Sequence, residues 1–233
     1  MGDGTASVRR RHHPPVLEAL LFDVNGTLTD TSALGGVWGR PDLGDRILQQ
    51  AVSTAIVETL LDRPTRAFGD HLQAALEVVV ADAKLDEGLI ERAGAVATAL
   101  PARPGARQAL GILRDAGLRL AALTNSGAEA GRRTLEACGL APTLDLVLGV
   151  DAVGCFKPHP DVYAYAVSKL RRDRSEVALV ATHPWDLAGA ARCGLQTAWV
   201  KHDARAWPAV FPPPDVEAIT LEDLATELVA LAA

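Results

Sequence analysis

The chain has 233 residues, 48% hydrophobic and 22% charged, the balance of a soluble globular protein with one sizeable core and room for an inserted unit. Its formal net charge is -6, and the Arg9-Arg10-Arg11 run leaves the acidic excess to the remainder. That excludes a nucleic-acid or anionic-membrane surface, either of which needs clustered basic residues, and leaves room for a small anionic substrate in a locally positive pocket.

In chain order, residues 1–15 read as a disordered tail, with no apolar run after the arginines to make a secretory or twin-arginine leader. No apolar stretch reaches the ~20 residues of a membrane span. Val16 to Phe22 is a short, nearly continuous apolar run, the mark of a strand covered on both faces. Residues 31–104 show no such run. Instead Leu43, Ile47, Ala51, Ala55 and Leu60 step at helical spacing, as do Phe68, Leu72, Leu76, Val79 and Ala83, then Ile90, Ala93, Val96 and Leu100. This predicts an all-helical cap inserted after the first strand, bounded by Gly35-Gly36 and by Pro101 to Pro104.

From residue 105 onward strand and helix alternate. Strands are predicted at 118–123, 144–150, 177–181 and 197–200, and helices at 106–116, 128–138, 161–170 and 187–193, three of the four closed by Gly117, Gly139 and Gly194. Pro208 to Pro214 reads as an extended surface loop before a last strand and helix. The fold class is therefore α/β, a Rossmann-like doubly wound parallel sheet built from 16–30 and 105–233, with the helical cap at 31–104. Cys138, Cys155 and Cys193 have no metal-ligand spacing and read as reduced thiols of a cytoplasmic protein, Cys155 lying two residues before Lys157.

Ligands of open parallel sheets bind beyond the carboxyl ends of the strands. There the sequence places Asp23 with the turn residue Gly26, then Thr124-Asn125, then Lys157-Pro158, then Thr182-His183-Pro184-Trp185-Asp186. Singly these are weak signals. A strand-end Asp is often a cap, Lys157 alone would be a surface charge, His183 could merely pack, and Asp186 stands where it could cap a helix starting at Leu187. Two carboxylates, a hydroxyl/amide pair and a lysine converging on one crevice are hard to explain structurally.

The segments Phe-Asp-x-x-Gly-Thr-Leu-x-Asp (22–30), Leu-Thr-Asn (123–125), Lys-Pro (157–158) and Trp-Asp-x-x-Gly-Ala (185–190) resemble the four motifs of the haloacid dehalogenase superfamily. By that resemblance Asp23 is a covalent nucleophile. Most members are Mg²⁺-dependent phosphatases, which carry a second Asp two residues after the nucleophile and two carboxylates in the last motif. Here those positions hold Asn25 and Thr182. An amide cannot supply and recover a proton, and Asp23 plus Asp186 against Lys157 offer Mg²⁺ a poor oxygen shell.

The stretch from His183 to Ala190, and Tyr163 six residues after Lys157, are similar to the L-2-haloacid dehalogenase branch. This implies hydrolysis of a short 2-haloacid through an aspartyl ester, without cofactor. Asp23, Lys157, Asp186, Thr124, Asn125 and His183 would be catalytic: Lys157 polarises Asp23, Thr124 and Asn125 bind the substrate carboxylate or orient Lys157, and Asp186 and His183 place the water. Asn25, Gly26, Thr27, Arg40, Arg46, Gln49, Tyr163 and Trp185 would bind substrate, Tyr163 supporting the lysine end. These dehalogenases usually bring a halide-binding arginine from the first cap helix. The position aligns near Gln49, so Arg40 or Arg46 would have to serve, with Trp38 and Phe68 as an apolar wall. His183 stands where an Asn is common, and Asn25 where an aromatic is. The rival expectations are a phosphatase or other carbon–heteroatom hydrolase, with Asp23 and Asp186 as metal ligands, and a non-catalytic binding protein with a decayed site. Expected partners are a small anionic substrate and no nucleic acid or membrane. The oligomeric state is open, a homodimer being one option.

Overall fold

The computed structural model describes residues 16–61, 66–202 and 206–232; the expected tail at 1–15 lies outside them. Six parallel strands form one sheet: β1 (Ala19–Phe22), β2 (Arg119–Thr124), β3 (Leu146–Gly149), β4 (Val177–Ala181), β5 (Gln196–Val200) and β6 (Val216–Ala218), in the order β3-β2-β1-β4-β5-β6. The chain winds outward from β1 to β3, then returns to lay β4 on the other side of β1. The topological switch point thus falls between β1 and β4, where such sheets open a crevice. Phe22 pairs with Ala122 on one side and Val180 on the other, so the residues that follow all three strands emerge side by side.

The strands are short and apolar because both faces are covered. Ala19 and Leu21 pack into one core with Leu123, Leu179 and Trp199, while Leu20 and Phe22 pack into a second with Leu120, Val180 and Ala198. The first core includes residues of α7 (Pro160–Leu170) and α8 (Pro184–Arg192), and the second includes residues of α5 (Ala106–Asp115) and α9 (Leu221–Ala232). Between β2 and β3 runs α6 (Ala128–Ala137).

The described residues of 31–104 contribute helices α1 (Ser32–Gly36), α2 (Leu43–Leu60), α3 (Phe68–Asp82) and α4 (Ile90–Ala97), and no strand of the sheet. Their apolar faces, among them Ile47, Leu76 and Ala93, join the same cluster as α7 and α8. Helix α1 departs from expectation. Gly35 and Gly36, expected to bound the insertion, close a short helix within it, and a Cβ on Gly35 would sit 2.0 Å from the Arg40 carbonyl oxygen.

Two helix starts also differ from expectation. Helices α7 and α8 begin at Pro160 and Pro184, since proline has no N–H to lose in a first turn and its φ is already helical. Asp186 consequently lies inside α8 and is not its N-cap. Helix α8 meets α7 closely at Gly189, where a Cβ would fall 2.6 Å from both Pro158 Cβ and the Tyr163 hydroxyl. We expect Gly189→Ala to destabilise the fold by about 1–3 kcal/mol through overpacking. A lowered urea midpoint at unchanged slope is the measure; a wild-type midpoint would contradict the tight contact.

Candidate active site

At the centre of the crevice is a buried ammonium. Lys157 is 0% exposed, and its Nζ donates to Asp23 Oδ1 (2.7 Å), to Asp186 Oδ2 (2.6 Å) and to the Leu123 carbonyl (3.1 Å). An ammonium has three N–H bonds, and all three are spent. Its backbone N–H donates to Asn125 Oδ1 at 2.9 Å, so Asn125 orients the lysine segment from the end of β2. That segment is also gripped from the insertion. The N–H of Phe156 donates to Thr59 Oγ1 of α2 at 3.0 Å, and its ring meets Phe68 and His71 of α3.

Asp23 leaves β1 with one oxygen on Lys157 and the other, Oδ2, accepting from Thr27 Oγ1 at 2.7 Å. Thr27 Oγ1 in turn accepts from the Thr182 N–H at 3.0 Å, which ties the Asp23 loop to the end of β4. Gly26, at φ +88, provides the left-handed turn that brings Thr27 back beneath Asp23. Arg103 and His202 brace the same loop through the carbonyls of Gly26 and Thr27. His183 Nε2 lies 2.9 Å from the Asn25 carbonyl and 3.6 Å from Asp23 Oδ2. A carbonyl only accepts, so Nε2 carries a proton. The imidazole stacks on Trp185, with centroids 5.5 Å apart.

The charges follow from these contacts. Burial pushes the Asp23 carboxyl up, but the charges of Lys157 and His183 and the bonds from Lys157 and Thr27 pull harder, leaving it below its ordinary value. Burial lifts Asp186 above its ordinary value despite Lys157. Burial also works against the charged lysine, yet the two carboxylates hold Lys157 above its ordinary value. Tyr163 is raised well above its own by burial and the Asp186 charge, and so remains a phenol donating to Asp186 Oδ1 at 2.6 Å. Tyr163 therefore braces the second carboxylate rather than the lysine itself. Burial raises the thiols of Cys138, Cys155 and Cys193, all free, so none is poised as a nucleophile.

The open space before Asp23 is small, about 250 Å³, walled by Asn25, Thr124, Asn125, His183 and Trp185 below and by Leu48, Val52 and Phe68 of the insertion above. The structure thus brings Asp23, Asn25, Thr124, Asn125, His183 and Trp185 to one crevice, with Lys157 and Asp186 buried behind it. It does not bring Arg40, Arg46 or Gln49 there. Arg40 is half exposed on Asp42, Arg46 is half exposed on Asp82, and Gln49 lies on the surface. Trp38 donates to the Asp86 carbonyl, away from the crevice. Leu48 and Val52 escaped sequence reasoning. Each follows one residue after a core position of α2, and a wider apolar stripe would have been their only signal.

No group of three or more metal-binding side chains exists among the described residues. The two carboxylates that could hold Mg²⁺ are bridged by Lys157, so the donor set does not fit that ion.

The family model for haloacid dehalogenase-like hydrolases matches residues 17–194. The chain belongs to this family. Among curated relatives, the (S)-2-haloacid dehalogenase 1 of Pseudomonas sp. (strain CBS-3) is 29% identical over 92% of this chain and 98% of its own. The probable phosphatase IndB of Dickeya dadantii (strain 3937) is 30% identical over 76% of this chain and 77% of its own. A crystal structure described as a dehalogenase with intermediate complex superposes at TM-score 0.86, 26% identical over 92% of this chain and 98% of that one. No helix among the described residues of this family member is long and apolar enough to cross a membrane.

Removing Lys157 strands two buried carboxylates. We expect Lys157→Ala to cost about 3–5 kcal/mol of stability by urea unfolding at neutral pH. Without the ammonium both carboxylates take up protons more readily folded than unfolded, so the deficit shrinks as the pH falls toward about 5. In the intact chain, Asp23 keeps its contribution until the pH drops through its lowered value, and Lys157 until the pH rises past its raised one. A pH-independent deficit in the variant would contradict this arrangement.

Proposed function

We propose that the chain hydrolyses short 2-haloacids to 2-hydroxyacids through an ester on Asp23, with helices α1–α4 acting as the cap over the crevice. The observation that carries this reading is the loss of acids from the crevice: Asn25 and Thr182 stand where a phosphatase of this family would carry carboxylates, and Lys157 Nζ bridges the two that remain, Asp23 and Asp186. Asn25, unable to protonate a leaving alcohol, supports the same choice over a phosphatase. A halide needs no proton to depart.

In the first step Asp23 Oδ2 forms a bond to carbon 2 of the substrate while the carbon–halogen bond breaks, the halide leaving with the electron pair. Oδ1 stays on Lys157 and becomes the ester carbonyl oxygen. The same N–H that held a carboxylate then polarises an acyl group and stabilises the oxyanion that water generates on it. Water attacks the acyl carbon, the 2-hydroxyacid departs with the original Oδ2, and one proton is released. Asp23 thereby takes one oxygen from water in each cycle. His183 is the crevice residue placed to hold that water. Asp186, with both oxygens bonded and no face on the crevice, acts through Lys157 as a positioning residue. The halide leaves among Asn125, Trp185 and Phe68 rather than onto an arginine.

Free thiols and an acidic surface support a cytoplasmic location and a small anion, rather than nucleic acid or membrane, as partner. A homodimer is the oligomer we propose, to be read by light scattering.

The test is halide release from chloroacetate and 2-chloropropionate, with and without EDTA. We expect turnover indifferent to EDTA, ¹⁸O from labelled water in Asp23 after single turnover, and Asp23→Asn below about one-thousandth of wild-type turnover while still folded. EDTA-sensitive release of phosphate from p-nitrophenyl phosphate, without halide release, would refute the reading.

A further inference from the structure

The crevice at Asp23 is not a closed pocket. Asn25 and Phe68 line both it and a larger chamber of about 1020 Å³ between α3 and α4 on one side and the start of α6 on the other. Its apolar surface comes from Leu72 and Leu76 of α3, Ala97 of α4 and Ala130 of α6, with Ser126 and Arg133 among its polar lining.

We propose that this chamber is a subsite for the carbon-2 substituent of longer 2-haloalkanoates, a proposal that rests on the function proposed above. With carbon 2 held at Asp23, Leu48 and Val52 stand over the substrate and Trp185 and His183 flank it. The crevice is the smaller of the two spaces, and a tail extending from carbon 2 past Asn25 and Phe68 would enter the larger one.

Gly94 adds an independent reason. It lies in α4 with no left-handed φ, and a Cβ there would meet nothing closer than Gln73 Oε1 at 3.9 Å. The backbone does not require glycine at this position, and glycine is a poorer helix former there than alanine. What the glycine leaves is open volume in the chamber wall.

The experiment compares kcat/KM for chloroacetate, 2-chloropropionate and 2-chlorohexanoate in the wild type and in Gly94→Leu and Ala97→Phe, two separate ways to fill the space from α4. We expect the wild type to accept 2-chlorohexanoate within about tenfold of 2-chloropropionate. Each filled variant should lose about tenfold or more on the six-carbon acid, and less than about twofold on chloroacetate, whose carbon chain stays in the crevice. Short acids turned over but 2-chlorohexanoate refused by the wild type would overturn the subsite and leave the proposed function standing. So would a long-chain activity that neither filled variant alters. Silence on all three acids would overturn the proposed function and this inference with it.

Discussion

One cation carries the architecture of the crevice. Burying an ammonium costs several kcal/mol unless its charge and its three N–H bonds are all met, and Lys157 meets them with two carboxylates and a backbone carbonyl drawn from the ends of β1 and β2 and the first turn of α8. Those partners are 134 and 29 residues away for Asp23 and Asp186 and 34 for Leu123. They coincide only because β1 sits between β2 and β4 and all the strands run parallel. The other polar contacts of the crevice serve this arrangement: Asn125 holds the lysine backbone, Tyr163 occupies the far oxygen of Asp186, and Thr27 occupies the near oxygen of Asp23.

The arrangement also sets the electrical state of the chemistry. Two carboxylates against one lysine leave a single net negative charge in this trio, and in the proposed reaction esterifying Asp23 removes it. The proposed intermediate is therefore a neutral Asp186–Lys157 pair beside an ester, formed as an anion leaves. A site organised round a divalent ion would keep that ion's charge throughout the cycle. Here the charge that changes is the protein's own.

Much of this was legible in the sequence, and what was not has a common cause. The strands could be read because burial on both faces makes them continuous apolar runs, and Asp23, Lys157 and Asp186 because each follows a strand or a helix break. Side-chain direction could not be read. Asp186 looked like a cap to a helix beginning at Leu187; Pro184 started that helix earlier and turned the carboxylate inward. Arg40 and Arg46 had the right charge and the right neighbourhood, yet nearby Asp42 and Asp82 hold them at the surface. Leu48 and Val52 line the crevice from positions next to the core residues Ile47 and Ala51, a matter of tertiary packing that periodicity along one helix does not encode. The same limit hid α1, whose Gly35 is set by contact with the Arg40 backbone.

The bond from Phe156 to Thr59 makes the lysine segment common property of the sheet and the helical insertion. Such insertions look modular, since they enter and leave the core at neighbouring points of one loop. In this protein the roof also holds up the floor. Exchanging the insertion for another, to alter which acids fit beneath it, would remove Thr59, Phe68 and His71 from around Phe156 and loosen the backbone that aims the ammonium. A transplanted roof would have to bring its own hydroxyl and its own aromatic seat for that phenylalanine, so selectivity and catalytic competence are inherited here as one unit.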